Sequence, residues 1–98
     1  MSPPDTLPVT IAHNSAALRF ETTVEGHLCV ADYTLADTTL TLHHTEVPSA
    51  LAGRGIAAAL VAYALSHARR QGWRVRPTCS YVASYMQRHP DTLDLLDT

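Results

Sequence analysis

Lysine is absent from this chain: all seven basic residues are arginine. That excludes a P-loop, whose Gly-Lys-Ser/Thr end needs the lysine to reach the phosphates. Acid is absent from residues 47–90, a stretch that holds Arg54, Arg69, Arg70, Arg74, Arg76 and Arg88. Cysteine is scarce, with only Cys29 and Cys79, too few for a disulfide framework. No apolar run approaches the ~18–20 residues that a membrane helix requires, so no membrane association is expected. Met1-Ser2-Pro3-Pro4-Asp5 offers neither a basic nor an apolar stretch, so no export signal and a reducing cytoplasm are expected.

At 98 residues, 46% of them hydrophobic and 16% charged, the composition is globular and fits one domain spanning 1–98. The net charge of −2 hides a pattern. Residues 1–46 carry six acids against Arg19, the central block is purely basic, and Asp91, Asp94 and Asp97 close the chain. A carboxylate-free block suits an anionic ligand; an ordinary solvated helix face is the bland alternative. Nucleic acid is not an expected partner: Trp73 is the only tryptophan, the net charge is acidic, and no aromatic–basic interleaving occurs.

Four strands are expected in the first half. Val9–Asn14 is apolar and β-branched, Leu18–Val24 and His27–Leu35 alternate, and Thr38–Val47 is rich in Thr and Leu. Turns at Glu25-Gly26 and Asp37 make an antiparallel meander, which Pro48 ends. The period then changes. Ile56, Leu60, Val61, Ala64, Leu65 and Ala68 form one stripe of a helix over Ile56–Gln71, closed by Gly72. Trp73–Arg76 reads as a strand ending at Pro77, Ser80 as the N-cap of a helix reaching Arg88, and Asp91–Leu96 as a last short helix. The fold class is α+β, a mixed sheet with helices.

Gly53-Arg54-Gly55 at the strand-to-helix turn is the informative unit. Glycines let the backbone approach a ligand, and the free N–H groups of a helix start suit phosphate. Arg54 can add a charge-assisted hydrogen bond; glycines serving packing alone are the alternative. Gly53 to Ala58 also satisfies Gly-x-Gly-x-x-Gly/Ala, but no acid follows before Asp91 and the strands before it form a meander, which rules out dinucleotide binding of the doubly wound type.

His44-Thr45-Glu46-Val47-Pro48, Gly53-Arg54-Gly55-Ile56-Ala57, Pro77-Thr78-Cys79-Ser80-Tyr81 and His89-Pro90 together resemble the small single-domain GNAT-type acetyltransferases. The resemblance covers nearly the whole chain and is specific from His44 to Pro90. It implies a minimal GNAT fold in which two central strands splay apart. It also implies acetyl-CoA as co-substrate, with Val47, Gly53, Arg54, Gly55, Ile56, Ala57 and Ser80 as cofactor contacts and an amine acceptor, small molecule or peptide. A monomer or weak homodimer is expected. Two departures stand out. Ala50 occupies the place of the family's Arg/Gln in its phosphate motif, which leaves Arg54 to compensate, and the N-terminal helices that shape the acceptor site in larger members are missing.

Acetyl transfer to an amine needs a base, and a proton for the departing thiolate. His44 and Glu46 lie two apart on one strand face, and imidazole is the side chain best suited by its ordinary chemistry to act as a base near pH 7. His43 points the other way, so no metal pair is expected. Cys79, just before a helix, can either accept the acetyl group or only line the thioester pocket. The chemistry is thus assigned to Cys79, His44 and Glu46, with His44 and Cys79 expected to face each other. Cys29 reads as core. Tyr81 and Tyr85, one turn apart, read first as helix packing, with a proton-donor role as the second option. A CoA-binding module without turnover is the alternative function.

Overall fold

A computed structural model describes residues 9–97. Met1–Asp5, read above as lacking an export signal, lies outside the described residues. Five strands form one sheet in the order β1 (Ala12–Asn14), β2 (Arg19–Val24), β3 (His27–Ala36), β4 (Thr39–Glu46) and β5 (Arg74–Pro77). The first four pair antiparallel; β5 joins β4 in parallel, so the sheet is mixed. The hairpin between β2 and β3 turns on Glu25 and Gly26, at φ 52° and 79°. That left-handed pair matches the twist of the flanking strands. β1 is shorter than expected. Thr10, placed in it by its sequence, instead accepts a hydrogen bond from the Thr22 hydroxyl through its carbonyl at 2.8 Å.

Helix α1 (Ile56–Gln71) has the bounds its sequence periodicity predicts. Its stripe of Ile56, Leu60, Val61, Ala64, Leu65 and Ala68 is buried against the sheet with Phe20, Leu40, Leu42 and Val75. Each large member of that stripe contributes about 1.5–3 kcal/mol by leaving water. Gly72 ends the helix in the left-handed conformation, its N–H reaching Ala68 and Arg69 carbonyls. Helix α2 (Ser80–Arg88) adds Val82, Tyr85 and Met86 to the same core. A 3-10 segment over Pro90–Leu95 follows, with Pro90 in its first turn, and Leu96 bridges to Val75 at the outer edge of β5.

Two irregularities in β4 position the site. β4 and β5 stay paired only from Thr39↔Arg74 to Leu42↔Pro77; beyond that β4 runs on beside β3 alone to Glu46. The last backbone link across is the Cys79 N–H to the Leu42 carbonyl, 3.1 Å. At that parting point the β3–β4 ladder carries a bulge. Asp32 pairs with His44 and Tyr33 with Leu42, leaving His43 with no partner. The bulge shifts the alternation by one. Leu40, Leu42 and Thr45 share the core side, whereas His44 and Glu46 share the opposite face, beside Asp32 and Val30.

Candidate functional site

After Glu46 the chain passes through a 3-10 turn at Ser49–Leu51, anchored by buried Leu51, into the glycine turn. Gly53 and Gly55 both sit in the left-handed region, at φ 81° and 79°. A Cβ built on either glycine would meet nothing within 4 Å. Packing therefore does not require glycine at these positions. Backbone conformation does, and the space above is open. Gly55 is the N-cap of α1; no side chain caps the helix and its first turn holds no acid. Its first N–H groups are consequently free for an anion.

Those groups border a cavity of about 270 Å³ lined by Val47, Leu51, the turn from Ala52 to Ala58, and Tyr81. Val47, Gly53, Arg54, Gly55, Ile56 and Ala57, predicted from sequence to contact the cofactor, all lie on its wall. Ser80 does not; Tyr81 takes the place at the start of α2. Ser80 is also not the N-cap. Cys79 holds that position, with extended backbone (φ −78°, ψ 129°) and its carbonyl accepting from the Ala83 N–H at 3.0 Å. The second helix, like the first, is uncapped by any side chain and has no acid in its first turn. Two uncapped N-termini thus border one region, where β4 and β5 part.

Cys79 is half-buried at that point. Burial alone would push its thiol up. The backbone groups of Val82 and Tyr81 at the helix start and the Thr45 hydroxyl favour the thiolate, and together with the Thr45 backbone they bring it below the ordinary thiol value. Thr45 Oγ1 lies 3.8 Å from Cys79 Sγ. Cys29, by contrast, is fully buried, as expected, and burial raises its thiol.

His44 does not face Cys79. The bulge turns it to the opposite, open face of the sheet, where its Nε2 lies 3.2 Å from Glu46 Oε1. Both side chains are well exposed, 50% and 69%. Thr45, which sequence reasoning passed over, is the β4 residue that meets the cysteine. Tyr85 is buried and stacks on His89 at 3.9 Å, a packing role, and burial raises its phenol. Tyr81 alone of the pair reaches the cavity.

The basic block does not converge on this cavity either. Arg69 clamps both carboxylate oxygens of Asp94, Arg74 donates to the Asp94 carbonyl, and Arg76 binds Asp97. Arg70 donates to Ser66. Asp94 and Asp97 neutralise Arg69 and Arg76 locally, and of the block only Arg54 lines the cavity, with its guanidinium bonded to Glu25.

The family model described as a GCN5-related N-acetyl-transferase matches residues 19–95. Protein NATD1 of Mus musculus is 29% identical over 97 residues, covering 91% of this chain and 87% of that protein. Protein NATD1 of Xenopus tropicalis is 38% identical over 52 residues, 53% of this chain; the match spans only 48% of the frog protein's length. The solution structure of a GCN5-like putative N-acetyltransferase from Staphylococcus aureus superposes with a TM-score of 0.71 at 20% identity, over 90% of this chain and 87% of that one.

Proposed function

The chain belongs to the GCN5-related N-acetyltransferase family, and from that premise we propose that it is an acetyl-CoA-dependent N-acetyltransferase for an amine acceptor. One observation carries the reading: two left-handed glycines open a cavity at an uncapped helix start, where two adjacent strands separate. The CoA diphosphate rests on the N–H groups of Gly53 to Ala57. The pantetheine arm runs past Val47 and Tyr81, and the thioester lies beside Cys79 and Thr45. The location is intracellular, where acetyl-CoA is made.

The amine approaches from the open face, where His44 and Glu46 stand. His44 takes the amine proton, held by its contact with Glu46. The amine nitrogen attacks the thioester carbonyl, the new C–N bond forms and the C–S bond breaks. The departing CoA thiolate lies near the positive end of α2 and takes its proton from Tyr81 or water. The amine reaches the thioester through the gap where β4 and β5 part. The separation of His44 and Cys79 onto opposite faces leaves Cys79 without His44 as its base, so a covalent route would rest on the helix-start groups and the Thr45 hydroxyl beside the thiol.

Calorimetry with acetyl-CoA, followed by CoA release with a panel of amines, tests the activity. An acetyl adduct on Cys79 in intact-protein mass spectrometry without acceptor, lost in Cys79→Ala and kept in Cys29→Ala, would establish the covalent route instead. Binding without CoA release from any amine would leave the chain a CoA-binding module.

A further inference from the structure

The guanidinium of Arg54 stands between two sources of negative charge. The residue lines the cavity at the glycine turn, yet its Nη1 donates to Glu25 Oε2 at 2.6 Å. Glu25 occupies the tip of the β2–β3 hairpin, in the left-handed conformation beside Gly26. The hairpin tip is therefore tied to the phosphate turn by one ion pair. The Arg54 guanidinium holds the Glu25 carboxyl below its usual value. Both side chains are exposed, 38% for Arg54 and 61% for Glu25, so the pair sits in a water-like dielectric and contributes little stability.

We propose that Glu25 is a displaceable counter-ion: it occupies Arg54 while the glycine turn is empty, and a diphosphate seated on that turn takes the arginine from it. The proposal rests on the reading of Gly53 to Ala57 as the seat of the CoA diphosphate. A diphosphate carries more charge and more acceptor oxygens than one carboxylate, and the free N–H groups of α1 already fix it in place. The planar guanidinium offers five donors but can turn its fork fully toward only one anion. Releasing Glu25 to solvent costs little, because its side chain is already mostly in water. The pair thereby lowers the affinity of any anion that takes the arginine by a small factor, and a diphosphate on the helix N–H groups is the anion best placed to overcome it.

Calorimetry of inorganic pyrophosphate and of CoA, on wild type, Glu25→Gln, Arg54→Ala and the double variant, tests the exchange. Glu25→Gln should tighten both ligands about two- to fivefold, the most that an exposed pair withholds. Arg54→Ala should weaken both about tenfold, since a charged hydrogen bond is lost. In the Arg54→Ala background Glu25→Gln should bring no gain, which is the coupling a double-mutant cycle isolates. A Glu25→Gln variant that binds equally or more weakly overturns the exchange. So does the same gain without Arg54, because that gain would be plain charge repulsion. A wild type that binds neither ligand removes the diphosphate seat and the exchange with it; a wild type that binds while Glu25→Gln changes nothing removes the exchange alone.

Discussion

Thr45 and Cys79 meet across the gap between two parting strands, with Oγ1 3.8 Å from Sγ, although they are 34 residues apart in sequence. When the sulfur is a thiolate the hydroxyl donates to it. The short side chain of Thr45 is aimed there because its backbone partner, Ala31, is a core residue.

Thr45→Val removes that donor while keeping the shape of the side chain. The Cys79 thiol should then titrate at higher pH, since one of the groups lowering it is gone. Alkylation by iodoacetamide as a function of pH reads this without reference to acetyl transfer. The reactivity profile should move to higher pH in Thr45→Val and stay in place in a Cys29→Ala control.

Substitution on the open face should separate binding from chemistry. His44→Ala leaves the glycine cavity untouched, because His44 is on the other side of the sheet. Acetyl-CoA affinity should be unchanged, while turnover with any accepted amine falls about 10²-fold or more, the usual contribution of a positioned base. Glu46→Gln should give a smaller loss through the orientation of His44. Equal loss of affinity and turnover would place His44 outside the chemistry.

Gly55→Asn places a side chain over the seat of the diphosphate in the residue type that best tolerates positive φ. The left-handed backbone makes the substitution cost about 1 kcal/mol of stability. CoA affinity should fall tenfold or more in calorimetry while the chain stays folded. Valine at the same place would confound the test, because a β-branched residue at φ 79° strains the turn directly.

Acid should loosen the end of the molecule where His13 and His67 meet. Their rings lie 4.6 Å apart, His13 also stacks on Phe20, and its Nε2 lies 2.6 Å from the Tyr33 hydroxyl. Burial lowers both histidines; His67 is lowered further by His13 and Arg70. The unfolded chain therefore binds more protons than the folded one as pH falls below about 6.5, the ordinary histidine value. Stability is full above that pH and is lost as pH falls from there through the lower folded values. Thermal melts between pH 7.5 and 5.5 should show that loss, with a shallower slope in His67→Gln.

The elements were legible where one side of a segment is buried. The stripe from Ile56 to Ala68 marks α1 because the sheet beneath it needs that spacing, and Gly55 and Gly72 mark its ends because their backbones are left-handed. The cavity wall followed from the same glycines. What could not be read depends on partners distant in sequence. An arginine in a sequence does not reveal which acid it meets, so the pairing of Arg69 with Asp94 and Arg76 with Asp97 stayed hidden, and the block looked like an anion site. Alternation was equally blind at His43-His44. Polar residues on both sides of the bulge leave no periodic signal, and only the register with β3 decides which face His44 takes.

That register makes His43 the surplus residue of β4, matched by nothing on β3. His43→Ser should leave both faces of the strand as they are, because the imidazole has no part in the pairing. Deleting the position should leave them too: Leu42 and His44 would become neighbours opposite Tyr33 and Asp32, and plain alternation would keep Leu42 and Thr45 on the core side and His44 and Glu46 outside. What the deletion would remove is the local bend and extra twist that a bulge gives its strand. The surplus residue is thus free in identity, and its effect is on the direction in which β4 leaves β5.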